Sequence, residues 1–123
     1  MRVRLTAEFR NLLSNLEKAM TLPTTSTIEH EYMSSGISYF RNLEGKPYFN
    51  DRVFKREVNG MWMAMENCAH HCGKEETAQV FWSLQAEFKR LHLTKSLYTA
   101  QEVTGSSLKN LRRQQRVQSY DYI

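Results

Sequence analysis

Apolar side chains recur at the three- and four-residue spacing of amphipathic helices, and four such stripes cover most of residues 1–93. The first predicted helix spans residues 4–20, with Thr6 as a candidate N-cap. A second is predicted to begin in the hydroxyl cluster 24–27 and to end at the break over 42–47. The competing interpretation, two strands flanking that break, lacks strict alternation. The apolar stripe of the second helix comprises Ile28, Tyr32, Met33, Ile37, Phe40 and Leu43.

The third and fourth helices have the clearest patterns. Asn50 or Asp51 can cap the third helix, whose apolar stripe continues as far as Cys72. Gly60 interrupts this stripe, and a small residue is typical of a position where another helix packs closely. Gly73 stands where a left-handed C-cap belongs, and the fourth helix follows at once, with acidic residues in its first turn and basic residues in its last.

After the fourth helix, residues 94–117 have the outline of a helix-turn-helix. A short first helix would lead into a tight turn at Gly105, which can adopt the positive φ required there, and a basic second helix would follow. The competing interpretations are a plain helical hairpin with a solvated basic face and a frayed tail. We therefore predict a single all-α domain of 123 residues, made of a helical body (1–93), this basic pair of helices and a tail (118–123).

The charge is unevenly distributed along the chain. Residues 1–88 hold 10 basic and 11 acidic side chains, whereas residues 89–123 hold 7 basic and 2 acidic ones. A nearly neutral body with a basic end is the pattern expected of a polyanion-binding protein, although a solvated helix face is the plainer interpretation. The sequence has no signal-peptide core and no apolar run long enough for a bilayer, and its two cysteines make no disulfide framework. We therefore expect a cytoplasmic chain without a membrane partner.

The side chains of the predicted basic helix suit the recognition of DNA. Lysine and arginine would neutralise phosphates, asparagine and glutamine could pair with adenine edges, and an arginine could pair with guanine. Hydroxyl groups at the helix N-terminus would bond to a phosphate. The predicted DNA-binding residues are Lys95, Ser106, Ser107, Lys109, Asn110, Arg112, Arg113, Gln114 and Arg116.

A short cluster of cysteine and histidine is the one group that resembles a metal site. On a helix Cys68, His71 and Cys72 would lie on one side, but a structural zinc site normally needs a fourth ligand, here from another helix. The plainer interpretation is that both cysteines continue the apolar stripe as small core residues. The sequence contains no phosphate-binding glycine loop and no dinucleotide motif, so we predict neither an enzyme nor a cofactor.

Taken together, these patterns predict a small transcription regulator that binds double-stranded DNA through its basic C-terminal helix. The helical body would contact the transcription machinery, and a homodimer would suit a palindromic target. A rival from a different class is a protein-interaction module, an inhibitor or adaptor that docks its basic end on an acidic partner. A third hypothesis is RNA binding through the arginine-rich helix.

Overall fold

In the computed structural model, which describes residues 2–23 and 27–101, antiparallel helices form a bundle with a small sheet at one end. The elements are β1 (Arg2–Leu5), α1 (Ala7–Ala19), α2 (Thr27–Leu43), α3 (Asp51–His71), α4 (Glu75–Leu93) and β2 (Tyr98–Gln101). Helix α3 packs on α2 and α4, and α1 packs mainly on α4. The predicted all-α class is confirmed, and so are the four long helices, because the segments flanking residues 42–47 are helical rather than extended.

Local capping signals mark the starts of α1 and α3 and the end of α3. The Thr6 side chain accepts a hydrogen bond from the Phe9 N–H (3.1 Å), and the Asn50 side chain accepts one from the Val53 N–H (3.1 Å). Gly73 separates α3 from α4 with a φ of +73°, which favours glycine. All three positions follow the sequence prediction.

The predicted start of the first helix at residue 4 is wrong, because residues Arg2–Leu5 form strand β1. Val3 and Leu5 are buried and the residues between and before them are exposed, which is the alternation of a half-buried strand. Four residues are too few to distinguish this alternation from the beginning of a helical stripe. The strand forms because it finds a distant partner: Val3 pairs with Ala100 and Leu5 with Tyr98, antiparallel.

The predicted first helix of the helix-turn-helix, which begins in the segment before Gly105, is wrong for residues Tyr98–Gln101. These residues are extended and pair with β1 as strand β2. The reason is tertiary, since the edge of β1 offers N–H and C=O groups that this segment satisfies. The turn at Gly105 and the basic second helix lie outside the described residues, so they stay predictions.

The other edge of β1 is occupied by the connection between α2 and α3. The Val3 N–H donates to the Lys46 carbonyl (2.8 Å), and the Gly45 N–H donates to the Val3 carbonyl (2.7 Å). The Leu5 N–H donates to the Glu44 carboxylate (2.6 Å), which takes the place of a strand carbonyl. Strand β1 therefore lies between two chain segments and ties the start of the chain to both of them.

One phenylalanine from each helix fills the core near the sheet. The Phe40 ring lies edge-to-face on Phe9, Phe54 and Phe88, with centroid distances of 5.1, 5.6 and 6.5 Å. All four rings are buried. Edge-to-face contacts add to the stability that burial alone provides, so this cluster joins the four helices directly beneath the strands.

The apolar stripe of α2 is narrower than predicted. Met33, Ile37 and Phe40 are buried, but Ile28 and Tyr32 are 64% and 65% exposed. Helix α2 contacts α3 extensively and α1 much less, so only one side of it is covered. Periodicity in the sequence does not reveal how many neighbours a helix has.

The close helix approach expected at Gly60 is wrong. A Cβ atom added at this exposed position would meet no atom of the described residues within 4 Å. Gly36 is the residue that permits a close approach, since a Cβ atom there would lie 3.0 Å from the terminal methyl of Met61. A side chain at residue 36 would therefore require the flexible end of Met61 to move.

We expect Gly60→Ala to raise the free energy of unfolding by about 0.5–1 kcal/mol, because alanine loses less conformational entropy in an exposed helix interior. Gly73→Ala should lower it by about 1–2 kcal/mol, because its φ is positive. Urea unfolding of both variants and the wild type measures the two effects. A destabilised Gly60→Ala variant would show that another surface covers this position.

We expect Thr6→Ala to lower the free energy of unfolding by about 1–2 kcal/mol, because the hydroxyl both caps α1 and donates to the Ser96 carbonyl (2.7 Å). Thr21→Ala is the matched control, since its exposed hydroxyl only donates to the Lys18 carbonyl within the same turn. Its effect should stay within about 0.5 kcal/mol. Equal losses in the two urea unfolding curves would contradict the role assigned to Thr6.

Candidate nucleic-acid interface

The antiparallel helices separate charge between the two ends of the bundle. Dividing each helix near its midpoint gives a sheet end with 11 basic and 5 acidic residues, net +6, and an opposite end with 2 basic and 6 acidic residues, net −4. The sheet end comprises residues 2–12, 37–60 and 84–101, and the opposite end comprises residues 13–23, 27–36 and 61–83. The charge difference between the two ends of the fold is therefore larger than the charge difference between the two parts of the sequence, 1–88 and 89–123.

Four exposed cations gather where β1, α1 and the α2–α3 connection meet. We call them the basic corner: Arg2, Arg4, Arg10 and Lys46. Sequence reasoning missed this group because it counted residues 1–88 together as a nearly neutral body. The signal available was the alternation of arginine with buried valine and leucine over the first residues, which identifies an exposed basic strand face once the strand is recognised.

The basic corner is arranged around residues Glu44 and Gly45. The Arg2 guanidinium donates to the Gly45 carbonyl (2.9 Å). Arg4 Nε and Arg10 Nη1 lie 3.7 and 3.8 Å from Glu44 Oε1. Ion pairs as exposed as these contribute little to stability, so the cluster is a surface property rather than a structural support.

Elsewhere at the sheet end, Arg90 is neutralised within the protein. Its guanidinium bonds to Glu87 and Glu8, and these hydrogen bonds raise the pKa of Arg90, while the bond to Arg90 lowers the pKa of Glu87. In contrast, the exposed side chains of Arg52 and Lys89 form no ion pair with any described residue. Most of the surplus positive charge of the sheet end therefore lies in the basic corner and on these two residues.

Of the predicted DNA-binding residues, Lys95 lies within the described part of the chain. It is exposed in the turn after α4, with a φ of 55°, and belongs to the sheet end. The others lie outside the described residues, and they are Ser106, Ser107, Lys109, Asn110, Arg112, Arg113, Gln114 and Arg116. All of them follow β2, whose last residue is Gln101 at the sheet end.

The candidate metal ligands do not converge. Cys68 and Cys72 are buried, and the Cys72 thiol donates to the Lys74 carbonyl (3.2 Å), whereas His71 is exposed. Burial, followed by the nearby Glu29 carboxylate, raises the pKa of the Cys68 thiol to about 12. Within residues 2–23 and 27–101, no group of three or more His, Cys, Asp or Glu side chains could hold a metal ion. The burial of both thiols agrees with the core interpretation.

A second surface feature lies at the acidic end, between α1 and α4. It is an open groove of about 510 Å³ whose lining is mostly apolar. Ala19, Leu22 and Leu84 contribute to it, together with Val80, which is 39% exposed. The groove offers mainly apolar contact, with Lys18 as the one charged residue among the described residues of its lining, in contrast to the sheet end.

Comparisons of the chain with protein-family models, with curated proteins and with solved structures gave no match. Among the described helices, none combines the length and the hydrophobicity that a membrane crossing requires. The observations that bear on function are therefore the charges and contacts described above.

We expect the free energy of unfolding to fall as the pH rises from about 9 to 12. Burial raises the pKa of Cys68 from 9.0 to about 12 and that of Tyr39 from 10.0 to about 12. The unfolded chain releases these protons at a lower pH than the folded one, so alkali favours unfolding. Urea unfolding at several pH values measures the slope.

The Cys68→Ala/Tyr39→Phe double variant is the control for this pH dependence. Its unfolding free energy should change less steeply over the same alkaline range, because both groups with raised pKa values have been removed. An unchanged slope in this variant would assign the alkaline sensitivity to other groups.

Proposed function

We propose that this chain is a small DNA-binding transcription regulator that approaches double-stranded DNA with its sheet end. The observation that supports this proposal is the charge polarity, net +6 at one end of the bundle and −4 at the other. A polyanion attracts the first end and repels the second, so electrostatics would orient the protein before contact.

The C-terminal segment adds to this surface. Residues 102–123 contain 4 basic and 2 acidic side chains and follow directly from β2 at the basic end. In the proposed complex, Lys109 and Arg116 contact phosphates, and Asn110 and Arg113 contact base edges.

The fold holds the backbone of β1 in place, and this strand carries two of the cations that would contact DNA. Strand β1 is hydrogen-bonded at both edges and lies over the four-phenylalanine cluster, so Arg2 and Arg4 project from a well-supported backbone. Cations on a preorganised surface lose less entropy when they bind than cations on a flexible one. The acidic end then faces away from the DNA, where a protein of the transcription machinery or a second copy of the chain would meet the body.

A protein-interaction module is the second candidate function. The groove between α1 and α4 favours it, because peptide-binding surfaces are commonly apolar clefts between helices. In that case the basic end would serve an acidic protein partner instead of DNA. Binding that depends on duplex sequence separates the two candidates, whereas salt dependence alone does not.

We expect the wild-type chain, incubated with a pool of random duplexes at fixed moderate salt, to retain a subset with an enriched sequence motif. Arg112→Ala/Arg113→Ala should lower affinity for that motif by about tenfold or more, since each such contact is worth about 1–3 kcal/mol. Lys18→Ala/Lys74→Ala is the control, because it removes the same charge from the acidic end and should leave the motif enriched. Fluorescence anisotropy with the selected duplex gives the affinities.

Each other outcome has a definite meaning. Equal losses in the two double variants would contradict a specific role for the C-terminal segment. Stronger retention of structured or single-stranded RNA than of any duplex would support the RNA hypothesis. Retention of neither nucleic acid would contradict the proposed function and favour the protein-interaction module.

A further inference from the structure

Within the basic corner, two guanidinium groups and one backbone N–H converge on a single carboxylate. Glu44 Oε2 accepts the Leu5 N–H (2.6 Å), and Glu44 Oε1 lies 3.7 Å from Arg4 Nε and 3.8 Å from Arg10 Nη1. Arginine forks combined with a backbone N–H are the donors that proteins use to hold a phosphate group. The carboxylate thus lies among groups suited to a larger oxyanion.

The distances show that the two arginines are not saturated by Glu44. Contacts of 3.7 and 3.8 Å are ion pairs but are too long for hydrogen bonds, which need about 3.2 Å or less. The one short hydrogen bond of the carboxylate goes to the backbone of Leu5. Arg4 and Arg10 therefore keep their N–H donors for another acceptor.

The two guanidinium side chains are more exposed than the carboxylate between them. The Arg4 and Arg10 side chains are 56% and 54% exposed, whereas the Glu44 side chain is 34% exposed. A larger fraction of each arginine is therefore accessible to a ligand from solvent, and this difference suits an anion rather than a cation.

The neighbouring charges favour a second anion as well. Lys46 is exposed and forms no ion pair with a described residue, and Arg2 is held close by its bond to the Gly45 carbonyl. The basic corner therefore holds four cations and the one carboxylate that pairs with two of them, which leaves a surplus of three positive charges.

We propose that Arg4 and Arg10 form a clamp for a phosphate group, flanked by Arg2 and Lys46. Glu44 is the internal counter-ion that holds the two guanidinium groups together without ligand and competes with the phosphate for them. The rigid, planar fork of arginine matches the geometry of phosphate oxygens. In naming a nucleic-acid backbone as the source of the phosphate, this inference rests on the proposed function. The clamp itself recognises the phosphate group and does not distinguish between the molecules that carry it.

The first test measures the binding of the full chain to a short random-sequence duplex by fluorescence anisotropy over a series of salt concentrations. Arg4→Gln/Arg10→Gln should lower affinity about tenfold and reduce the slope of log affinity against log salt by about one. Arg52→Gln/Lys89→Gln removes the same charge from the same end, at two residues that form no ion pair with any described residue, and should lower affinity by about threefold at most. Equal effects of the two double variants would overturn the clamp and leave the proposed function intact.

The second test uses Glu44→Gln, which should change the affinity for the duplex in the opposite direction. Glutamine keeps an acceptor for the Leu5 N–H, so β1 stays paired, but it removes the negative charge beside the phosphate. Affinity for the duplex should rise about threefold, in keeping with the repulsion of unit charges a few ångströms apart in water. A fall in affinity, with the unfolding midpoint unchanged, would overturn the competition assigned to Glu44.

Inorganic pyrophosphate separates the clamp from the proposed function. In a titration followed by NMR, the Leu5 amide and the Arg4 and Arg10 Nε–H resonances should shift, and the Arg56 Nε–H resonance should not, because Arg56 lies outside the basic corner. Shifts with pyrophosphate but no binding of duplex would support the clamp and contradict the proposed function. Uniform shifts of all arginines, or none, would overturn the clamp.

Discussion

The hydrogen bonds at the two edges of β1 are the constraint on which the rest of the structure depends. This strand has four residues, yet it joins the α2–α3 connection on one side and the segment after α4 on the other. Thr6, the next residue, caps α1 and donates to the Ser96 carbonyl, so the direction of the first helix is set by the same local network. A short segment thereby closes one end of the whole bundle.

The aromatic cluster beneath the strands complements this network. Hydrogen bonds determine the register of the sheet, while the edge-to-face rings around Phe40 hold the four helices together under it. Strand β1 contributes both to the core and to the surface because its alternate residues face opposite sides of the sheet. Val3 and Leu5 enter the core, and Arg2 and Arg4 reach solvent. The exposed positive charge is thus a direct consequence of how the core is closed.

The candidate functional surface is a group of cations and not the metal site that the cysteine–histidine cluster resembles in the sequence. Cys68 has a raised pKa in the core, so its thiolate, the form that binds metals, is disfavoured. Charge is instead concentrated at the sheet end, where Glu44 is outnumbered by the cations around it. Within the described residues, the protein therefore offers concentrated positive charge rather than a set of metal ligands.

The sequence by itself determined the helices and their caps, because periodicity and capping act over a few neighbouring residues. Thr6, Asn50 and Gly73 have the roles that their local patterns predict. The basic C-terminal helix lies outside the described residues and stays a prediction.

Only the tertiary structure decided the rest. Strands β1 and β2 form because segments nearly 100 residues apart pair with each other, and no window of the sequence contains both partners. Gly36 rather than Gly60 permits the close helix contact, since packing depends on the residue that faces it on the next helix. The basic corner exists for the same reason: it brings the cations of residues 2–10 together with Lys46, which lies 36 residues beyond Arg10 in the sequence and approaches only because the α2–α3 connection pairs with β1.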